Sequence, residues 1–393
     1  MPTTRRLLGN ILLLLLVCVI FLTITDLAVR WLLPQHRVIL TYDDVYVHKY
    51  AAGKSHAHIN DEGKAIMVSI DDQGFRGPEV STEKKEGTLR VMVYGDSFIA
   101  GEYSQVNETY ASVLGTLLSE KLNQDVEVIN AGVDGYGPDQ SLRRMQDEVP
   151  LYKPDIIVSA IFVGNDYGEA VRNKIYRLRD GRLVANTFTI EPDLLRRRAL
   201  LDRSPLLRMT YYALTNIANS IKTPSDSPSL FPEMNIKLNE EDCETLFSGD
   251  NVVHNAHRDR SDVDMVFGQT TVCTRYRLAI MEQILATQRD IAEENRAEYI
   301  LVIIPERFDV SDDALAAEMP ESYRENYSTT YLTSEAEAMA QRQSIMYINL
   351  YEAFREGGGA SFYWKGDSHW NAAGQRYAAE LTAKKIIEDN GKE

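Results

Sequence analysis

Cysteine, histidine and positive charge are all scarce in this chain. Its 393 residues include three cysteines and seven histidines, and 42 Lys and Arg stand against 58 Asp and Glu, for a formal net charge of −16. Such an acidic chain repels a phosphate backbone at long range, so we expect no nucleic-acid partner. Hydrophobic residues make up 44% and charged residues 25%. This mix is that of a globular protein and excludes a collagen, a coiled coil and a largely disordered chain.

The N-terminal 37 residues differ from the acidic remainder because they are basic and apolar. No charged residue occurs from Leu7 to Thr25, a stretch close to the roughly 20 residues that a helix needs to cross a bilayer. Arg5 and Arg6 precede it and, by the positive-inside rule, hold the N-terminus in the cytoplasm. We therefore predict a single-pass membrane anchor over residues 1–37, with the acidic body in the periplasm or another extracytoplasmic space.

Two other kinds of leader would account for the same apolar run. A cleaved signal peptide needs a small-x-small cleavage site, and the stretch from Asp26 to Ala28 offers no good one. A lipoprotein needs a small residue before Cys18, where this chain has Val17. The uncleaved anchor is favoured over both.

The shortage of cysteine leaves room for one disulfide in the body. Because Cys18 falls within the apolar run, only Cys243 and Cys273 remain. In an oxidising compartment these two can pair, and we predict that they do; two unrelated thiols are the alternative.

From Leu89 onward, short apolar runs alternate with helical stretches. Strand–helix–strand alternation implies a parallel sheet with helices on both faces, that is, an α/β fold of three α/β/α layers. Ligands of such sheets bind outside the carboxyl ends of the strands. The predicted strands are Val91–Tyr94, Val126–Ile129, Ile156–Phe162, Tyr299–Ile304 and Ile345–Asn349.

Two segments do not follow this alternation. Residues 38–88 are predicted to form a lead-in of loops and short strands, without a core of their own. Residues 167–272 are rich in Arg, Asp, Asn, Ser and Pro and are predicted to be a surface insertion. The chain then consists of an anchor, a lead-in and one domain over residues 89–388 that the insertion interrupts.

Polar residues follow the predicted strands and precede the last helix. The first strand ends in Gly-Asp-Ser-Phe at residues 95–98, and the second leads to Asn-Ala-Gly-Val-Asp-Gly at 130–135. The third ends in Gly-Asn-Asp at 164–166, and Gly-Asp-Ser-His-Trp-Asn occupies 366–371. Each motif alone is weak, but a serine directly after a strand is well placed to act as a nucleophile.

Together, in this order, the four motifs resemble those of the SGNH (GDSL-type) hydrolases, a family of esterases and acyltransferases. The resemblance implies a flavodoxin-like five-stranded parallel sheet, and no cofactor or metal. It makes Ser97 the nucleophile, His369 the general base and Asp367 the acidic partner of that histidine. The Ser97 and Gly135 N–H groups and the Asn165 amide would form the oxyanion hole. A Gly-Phe-Arg-Gly-Pro-Glu stretch at 74–79 is similar to a membrane-anchored bacterial subgroup.

The chain departs from the family pattern at two positions. The acid usually stands three residues before the histidine, where this chain has Gly366, so Asp367 lies one position closer. That spacing resembles the polysaccharide O-acetyltransferases of the superfamily. Val163 replaces a glycine that is usual two residues before the asparagine.

Four other groups of residues could suggest sites. Asp96 and Asp166 are predicted to hold turns rather than to catalyse. The pair His254 and His257, near Asp259, Asp262 and Asp264, is predicted to be a solvated loop rather than a metal site, and His56 and His58 are read in the same way. The basic run at Arg196–Arg198 is predicted to be the solvated face of a helix; contact with anionic headgroups or with an anionic polymer is the alternative.

These features favour a membrane-anchored serine esterase or deacylase acting on O-acyl, above all O-acetyl, groups of a cell-envelope glycan or lipid. The first alternative is an O-acyltransferase that passes the acyl group to an extracytoplasmic polysaccharide. The second is a catalytically silent carbohydrate-binding or assembly module. The acyl-enzyme would be common to the first two, so the active-site residues do not choose between them.

Overall fold

The structure is a computed structural model that describes residues 2–32, 40–60, 62–222, 252–253, 262–267, 269–366 and 368–390. The described helices are α1 (Pro2–Leu32), α2 (Ser97–Ala100), α3 (Tyr110–Leu122), α4 (Pro138–Tyr152), α5 (Asp166–Arg172), α6 (Pro192–Arg203), α7 (Pro205–Lys222), α8 (Val263–Phe267), α9 (Val272–Glu294), α10 (Asp312–Glu318), α11 (Glu321–Arg324), α12 (Tyr331–Arg342), α13 (Tyr351–Gly357) and α14 (Ala372–Asn390). The described strands are β1 (Leu40–Asp43), β2 (Val47–Tyr50), β3 (Ser55–Ile59), β4 (Ala65–Ser69), β5 (Leu89–Tyr94), β6 (Val126–Asn130), β7 (Ile156–Phe162), β8 (Tyr176–Arg179), β9 (Arg182–Ala185), β10 (Thr189–Ile190), β11 (Val252–Val253), β12 (Glu298–Ile304) and β13 (Met346–Asn349).

Five of these strands form the central sheet, in the order β13-β12-β7-β5-β6, and all neighbours are parallel. This is the flavodoxin-like order, which places the first strand of the fold between the second and the third. Every residue of β7 is buried, as expected for a strand that helices cover on both faces. The predicted α/β class and parallel five-stranded sheet are confirmed.

Two apolar cores lie on opposite faces of the sheet. On one face α4, α9 and α12 pack through residues such as Met145, Met281 and Met339. On the other, α3 and α14 pack through residues such as Leu114 and Ala379. The three layers predicted from the alternation are therefore present.

The lead-in packs onto this domain. Strands β1 and β2 form one antiparallel pair, and β3 and β4 form another. The Phe75 ring, which follows β4, contacts Tyr152 edge-on at 5.2 Å between centroids and lies beneath the Arg144 guanidinium. The lead-in therefore shares the core of the domain.

Chain contacts separate the molecule into two compact units. Helices α1, α6 and α7 form the first, and the other described elements form the second. Residues 6–31 of α1 are long and apolar enough to span a membrane. The limits 1–37, 38–88 and 89–388 stay predictions.

Candidate active site

Ser97 begins α2 directly after β5, in a tight turn that its neighbours enforce. The Asp96 carboxylate accepts the Phe98 N–H at 2.9 Å and caps the helix. A Cβ on Gly95 would lie 2.6 Å from the Ile99 side chain and 3.3 Å from Ala160 on β7, so only glycine fits there. The turn therefore presents Ser97 at the carboxyl edge of the sheet, next to its central strand.

His369 meets Ser97 although 272 residues separate them in sequence. Its Nε2 lies 2.6 Å from the Ser97 Oγ, within the range of a serine donating its proton to a neutral imidazole. The rings of Phe98 and Tyr103 each lie near the imidazole, with centroids 5.0 Å and 5.1 Å away. These contacts hold the base in a defined orientation against the nucleophile.

The loop that carries His369 is held at both of its ends. The backbone carbonyl of His369 accepts the Trp364 N–H at 2.9 Å. The next residue, Trp370, is buried against Phe98 and Phe354. The side-chain Oδ1 of Asn371 then accepts the N–H groups of Ala373 and Gly374, in the first turn of α14. The predicted acid, Asp367, lies outside the described residues, so its pairing with His369 stays a prediction.

Gly135 lies in a turn after β6, beside the turn of Ser97. The Tyr136 N–H donates to the Val133 carbonyl and closes this turn, in which Gly135 has a φ of 70°. Positive φ at the third position is what a type II turn requires, and glycine adopts it without strain. The Val133 N–H donates to the Gly95 carbonyl at 3.1 Å, which ties the two turns together.

Asn165 follows β7 and precedes α5. Its Nδ2 donates to the Glu169 Oε1 at 3.1 Å, and Glu169 in turn pairs with Arg172 at 3.2 Å. An amide nitrogen carries two hydrogens, so one is left for an oxyanion. The neighbouring Asp166 accepts the Phe162 N–H at 2.8 Å; burial, and then the nearby Asp96 carboxylate, raise the pKa of Asp166.

The structure thus brings Ser97 and His369 into contact. It places Gly135 and Asn165 after β6 and β7, the two strands that flank β5. Their roles as nucleophile, base and oxyanion-hole donors remain our proposal. The predicted disulfide involves Cys243, which lies outside the described residues, so its pairing with Cys273 also stays a prediction.

Two side chains of β2, His48 and Tyr50, form a clamp that holds the Gly135 turn, and the sequence analysis did not predict it. The two backbone groups of Asp134 are both bound by side chains of β2: its carbonyl contacts the His48 Nε2 at 2.9 Å, and its N–H donates to the Tyr50 hydroxyl at 3.2 Å. The Tyr50 hydroxyl donates to Glu102, and the His48 Nδ1 contacts the Gln140 amide. The one sequence signal was that His48 and Tyr50 alternate on a strand and so share a face.

A second missed clamp holds the Asn165 turn from α8. The Asp262 N–H donates to the Gly164 carbonyl at 2.6 Å, and its carboxylate accepts the Gly168 N–H and the Arg277 guanidinium, each at 2.8 Å. Burial raises the pKa of Asp262 to about 7, while Arg277 opposes that shift.

Asp264 also pairs with Arg277, at 2.5 Å. The histidines 254 and 257, considered with these acids as a metal site, lie outside the described residues. Within the part of the chain that the structure describes, no group of three or more His, Cys, Asp or Glu has a geometry that suits a metal ion.

Residues 274–393 match the family described as "SGNH hydrolase-like domain, acetyltransferase AlgX". The C-terminal part of the chain is thus SGNH hydrolase-like. The predicted family resemblance is therefore confirmed, and the matched residues include His369. The fold and the family match are those of an esterase or acyltransferase enzyme. No curated protein is similar enough in sequence to match the chain.

Three solved structures illustrate what the chain as a whole is similar to. TesA has 12% sequence identity and a TM-score of 0.38, over 76% of this chain and 99% of its own. A lipase/acylhydrolase from Enterococcus faecalis has 16% identity and a TM-score of 0.37, over 77% and 96%. An acetyl-xylooligosaccharide esterase mutant from Geobacillus has 11% identity and a TM-score of 0.38, over 76% and 94%. Likenesses this weak do not bear on activity.

Proposed function

We propose that this protein transfers an O-acyl group, most simply acetyl, through an ester on Ser97. The observation that carries the proposal is the 2.6 Å contact between the Ser97 Oγ and the His369 Nε2. A serine is a poor nucleophile at neutral pH, and a histidine at this distance supplies the base that it needs.

The reaction follows from these groups. The Ser97 Oγ attacks the carbonyl carbon of the donor ester while its proton passes to His369. The N–H groups of Ser97 and Gly135 and the Asn165 amide stabilise the resulting oxyanion. The intermediate collapses, His369 returns the proton to the departing alcohol, and the acyl group stays on Ser97. An acceptor hydroxyl then attacks this ester and gives its proton to His369. The second intermediate collapses, His369 returns the proton to the Ser97 Oγ, and the acceptor leaves with the acyl group. Asp367 would hold the imidazole in the required tautomer.

Two acceptors fit this mechanism. The description of the matched family as an acetyltransferase and the short Asp-x-His spacing favour a hydroxyl of a cell-envelope glycan. Water as acceptor makes the protein the esterase or deacylase that the sequence ranked first. We propose transfer to a glycan as the main activity and hydrolysis as the second candidate.

Labelling of Ser97 tests the acyl-enzyme. We expect a fluorophosphonate probe to label the full-length protein, and p-nitrophenyl acetate to add one acetyl group to it, both detected by mass spectrometry. Ser97→Ala and His369→Ala should each abolish both signals. Ser119→Ala is the matched control. It removes a different serine hydroxyl, on α3, which donates to the Gln124 carbonyl. Labelling that persists in Ser97→Ala would exclude the assignment.

The fate of the acyl group separates the two acceptors. The protein is incubated with p-nitrophenyl acetate, with and without glycan oligosaccharides, and free acetate and acetylated sugar are measured. Acetylated sugar formed at the expense of acetate supports transfer; acetate release that the glycan leaves unchanged reverses our ranking. Binding of glycan by a protein that never releases p-nitrophenol would support the silent module instead.

We further propose that α1 anchors the protein, with its N-terminus in the cytoplasm and the active site outside. Its apolar residues, from Leu7 to Leu27, are exposed, and Arg5 and Arg6 precede them. An anchored enzyme of this kind would act on acylated glycans or lipids of the envelope.

A further inference from the structure

The unit that contains α1 also contains a helical hairpin, α6 and α7, joined at Ser204. The hairpin is attached to the C-terminal part of α1. The Asp26 carboxylate accepts the Ser204 hydroxyl at 2.6 Å and the Leu206 N–H at 3.1 Å. Arg30, which pairs with Asp26, donates to the Arg203 carbonyl at 2.5 Å. The three contacts to Arg203, Ser204 and Leu206 fix the start of α7 beside the last turns of α1.

This attachment places the hairpin at the depth where a membrane helix would leave the bilayer. Trp31, 90% exposed, ends the apolar stretch, as aromatic residues do at membrane interfaces. Asp26 lies five residues earlier, which is about 7.5 Å along a helix. Interfacial helices lie about 5–10 Å deep in the headgroup region. A hairpin attached at Asp26 therefore lies at the depth that an interfacial helix occupies.

The hairpin surface is both apolar and basic. Its large exposed apolar side chains are Leu195, Leu200, Leu207, Met209 and Leu214. Its basic residues on α6 and the start of α7 are Arg196, Arg197, Arg198, Arg203 and Arg208. Arg196 pairs with Asp193 and yet stays 80% exposed. So many exposed apolar side chains mark an interaction surface, and a cluster of arginines in a chain with a net charge of −16 points to an anionic partner.

We propose that the α6–α7 hairpin binds the surface of an anionic phospholipid bilayer, on the side where α1 emerges. The leucines insert among the acyl chains near the headgroups, and the arginines bind lipid phosphates. The hairpin is then a second membrane contact, distant in sequence from the first. The inference rests on α1 as an anchor and is independent of the chemistry at Ser97.

Depth-dependent quenching tests this contact in the full-length protein. Leu200→Cys and Leu214→Cys are made separately in a Cys18→Ser background and labelled with the fluorophore NBD; the background protein serves as the labelling control. Each is reconstituted in nanodiscs of phosphatidylcholine, or of phosphatidylcholine with a quarter phosphatidylglycerol, with and without headgroup-proximal doxyl lipids. We expect doxyl quenching at both positions, and stronger quenching with the anionic lipid.

Charge variants test the role of the arginines. Replacing Arg196, Arg197 and Arg198 by Gln should weaken binding of the hairpin to the membrane. We expect the binding equilibrium constant to fall about fivefold for each Arg that contacts the anionic surface. Replacing Arg177, Arg179 and Arg182, on β8 and β9, by Gln makes the same change in net charge. An equal effect of both triples would overturn the assignment of the anionic site to α6.

Other results would also overturn the proposal. Absence of quenching at both positions excludes the bilayer as the partner. Loss of quenching when a soluble anionic polysaccharide is added would show that the surface prefers a polymer, and concentration-dependent quenching between labels would indicate a second copy of the chain. A protein that fails to enter nanodiscs would overturn both the anchor and the hairpin contact, whereas fluorophosphonate labelling of Ser97 reports on the proposed chemistry independently.

Discussion

At the scale of single residues, the side-chain amide of Asn165 binds Glu169 and is also proposed to bind the oxyanion. One hydrogen of its Nδ2 is directed to Glu169, which orients the amide, and the other is proposed to meet the oxyanion. An asparagine in this role stabilises the transition state more than the ground state.

We therefore predict that Asn165→Ala lowers kcat by about 10²–10³ and changes KM little. Steady-state kinetics with p-nitrophenyl acetate measures this. Asn107→Ala, at an exposed position in the turn before α3, is the matched control. A loss confined to KM would instead assign Asn165 to substrate binding.

The buried Asp139 makes a prediction about pH and stability. Its Oδ1 accepts the Asn173 amide at 3.0 Å, and burial raises its pKa from 3.8 to about 6. Because the folded state binds this proton more tightly than the unfolded state, Asp139 lowers the free energy of unfolding as the pH rises from about 4 to about 6. The loss is complete above about 6 and amounts to about 3 kcal/mol.

Asp139→Asn should remove this part of the pH dependence. We expect the melting temperature of the variant to fall less than that of the parent protein between pH 4 and pH 8, as measured by circular dichroism. Asp125→Asn, which removes an exposed carboxylate, should leave the dependence as it is. Parallel curves for Asp139→Asn and the parent would contradict the assignment.

At the scale of elements, strand β2 positions the Gly135 turn. His48 and Tyr50 are buried, and together they bind both backbone groups of Asp134. If the His48 Nε2 carries the proton, the Nδ1 accepts from Gln140, so both ring nitrogens are satisfied in one neutral tautomer. The lead-in therefore supports the turn that contains Gly135, a residue of the proposed oxyanion hole.

Loss of this clamp should displace the Gly135 N–H from the oxyanion. We predict that His48→Ala lowers kcat about 10- to 100-fold with little change in KM. His48→Gln retains a donor and should recover part of the loss. His56→Ala, on β3, removes another buried histidine of the lead-in and should lower kcat far less. Equal losses in both alanine variants would mean that stability, rather than positioning, is responsible.

At the scale of the whole molecule, the proposed topology follows from the distribution of charge. Arg5 and Arg6, before the apolar stretch, oppose transfer of the N-terminus across the membrane. The acidic residues of the body do not oppose transfer of the body. We predict that proteinase K degrades the body in intact bacterial spheroplasts. Replacement of Arg5 and Arg6 by Glu should leave a larger share of the protein protected. Complete protection of the parent protein until lysis would place the body in the cytoplasm and refute the topology.

The sequence determined the sheet, the apolar helix and the position of each motif, because these depend on local patterns. A continuous apolar run such as Ile156–Phe162 favours a strand buried on both faces, and the Gly-Asp-Ser motif directly follows the neighbouring predicted strand. Three of the four motifs could be assigned to strand ends, since polar residues and glycines directly follow those apolar runs. The fourth could be assigned to the start of the last helix.

The motifs implied that His369 serves Ser97, but only the tertiary structure decided the geometry in which distant side chains meet. The 2.6 Å contact of Ser97 with His369 depends on how α14 packs beside α3, and the clamps of His48 and Asp262 depend on where the lead-in and α8 lie against the sheet. No regular period or fixed spacing in the sequence predicts the distances within these pairs. Their geometry results from the packing of whole elements, which local hydrogen bonding and hydrophobic pattern do not encode.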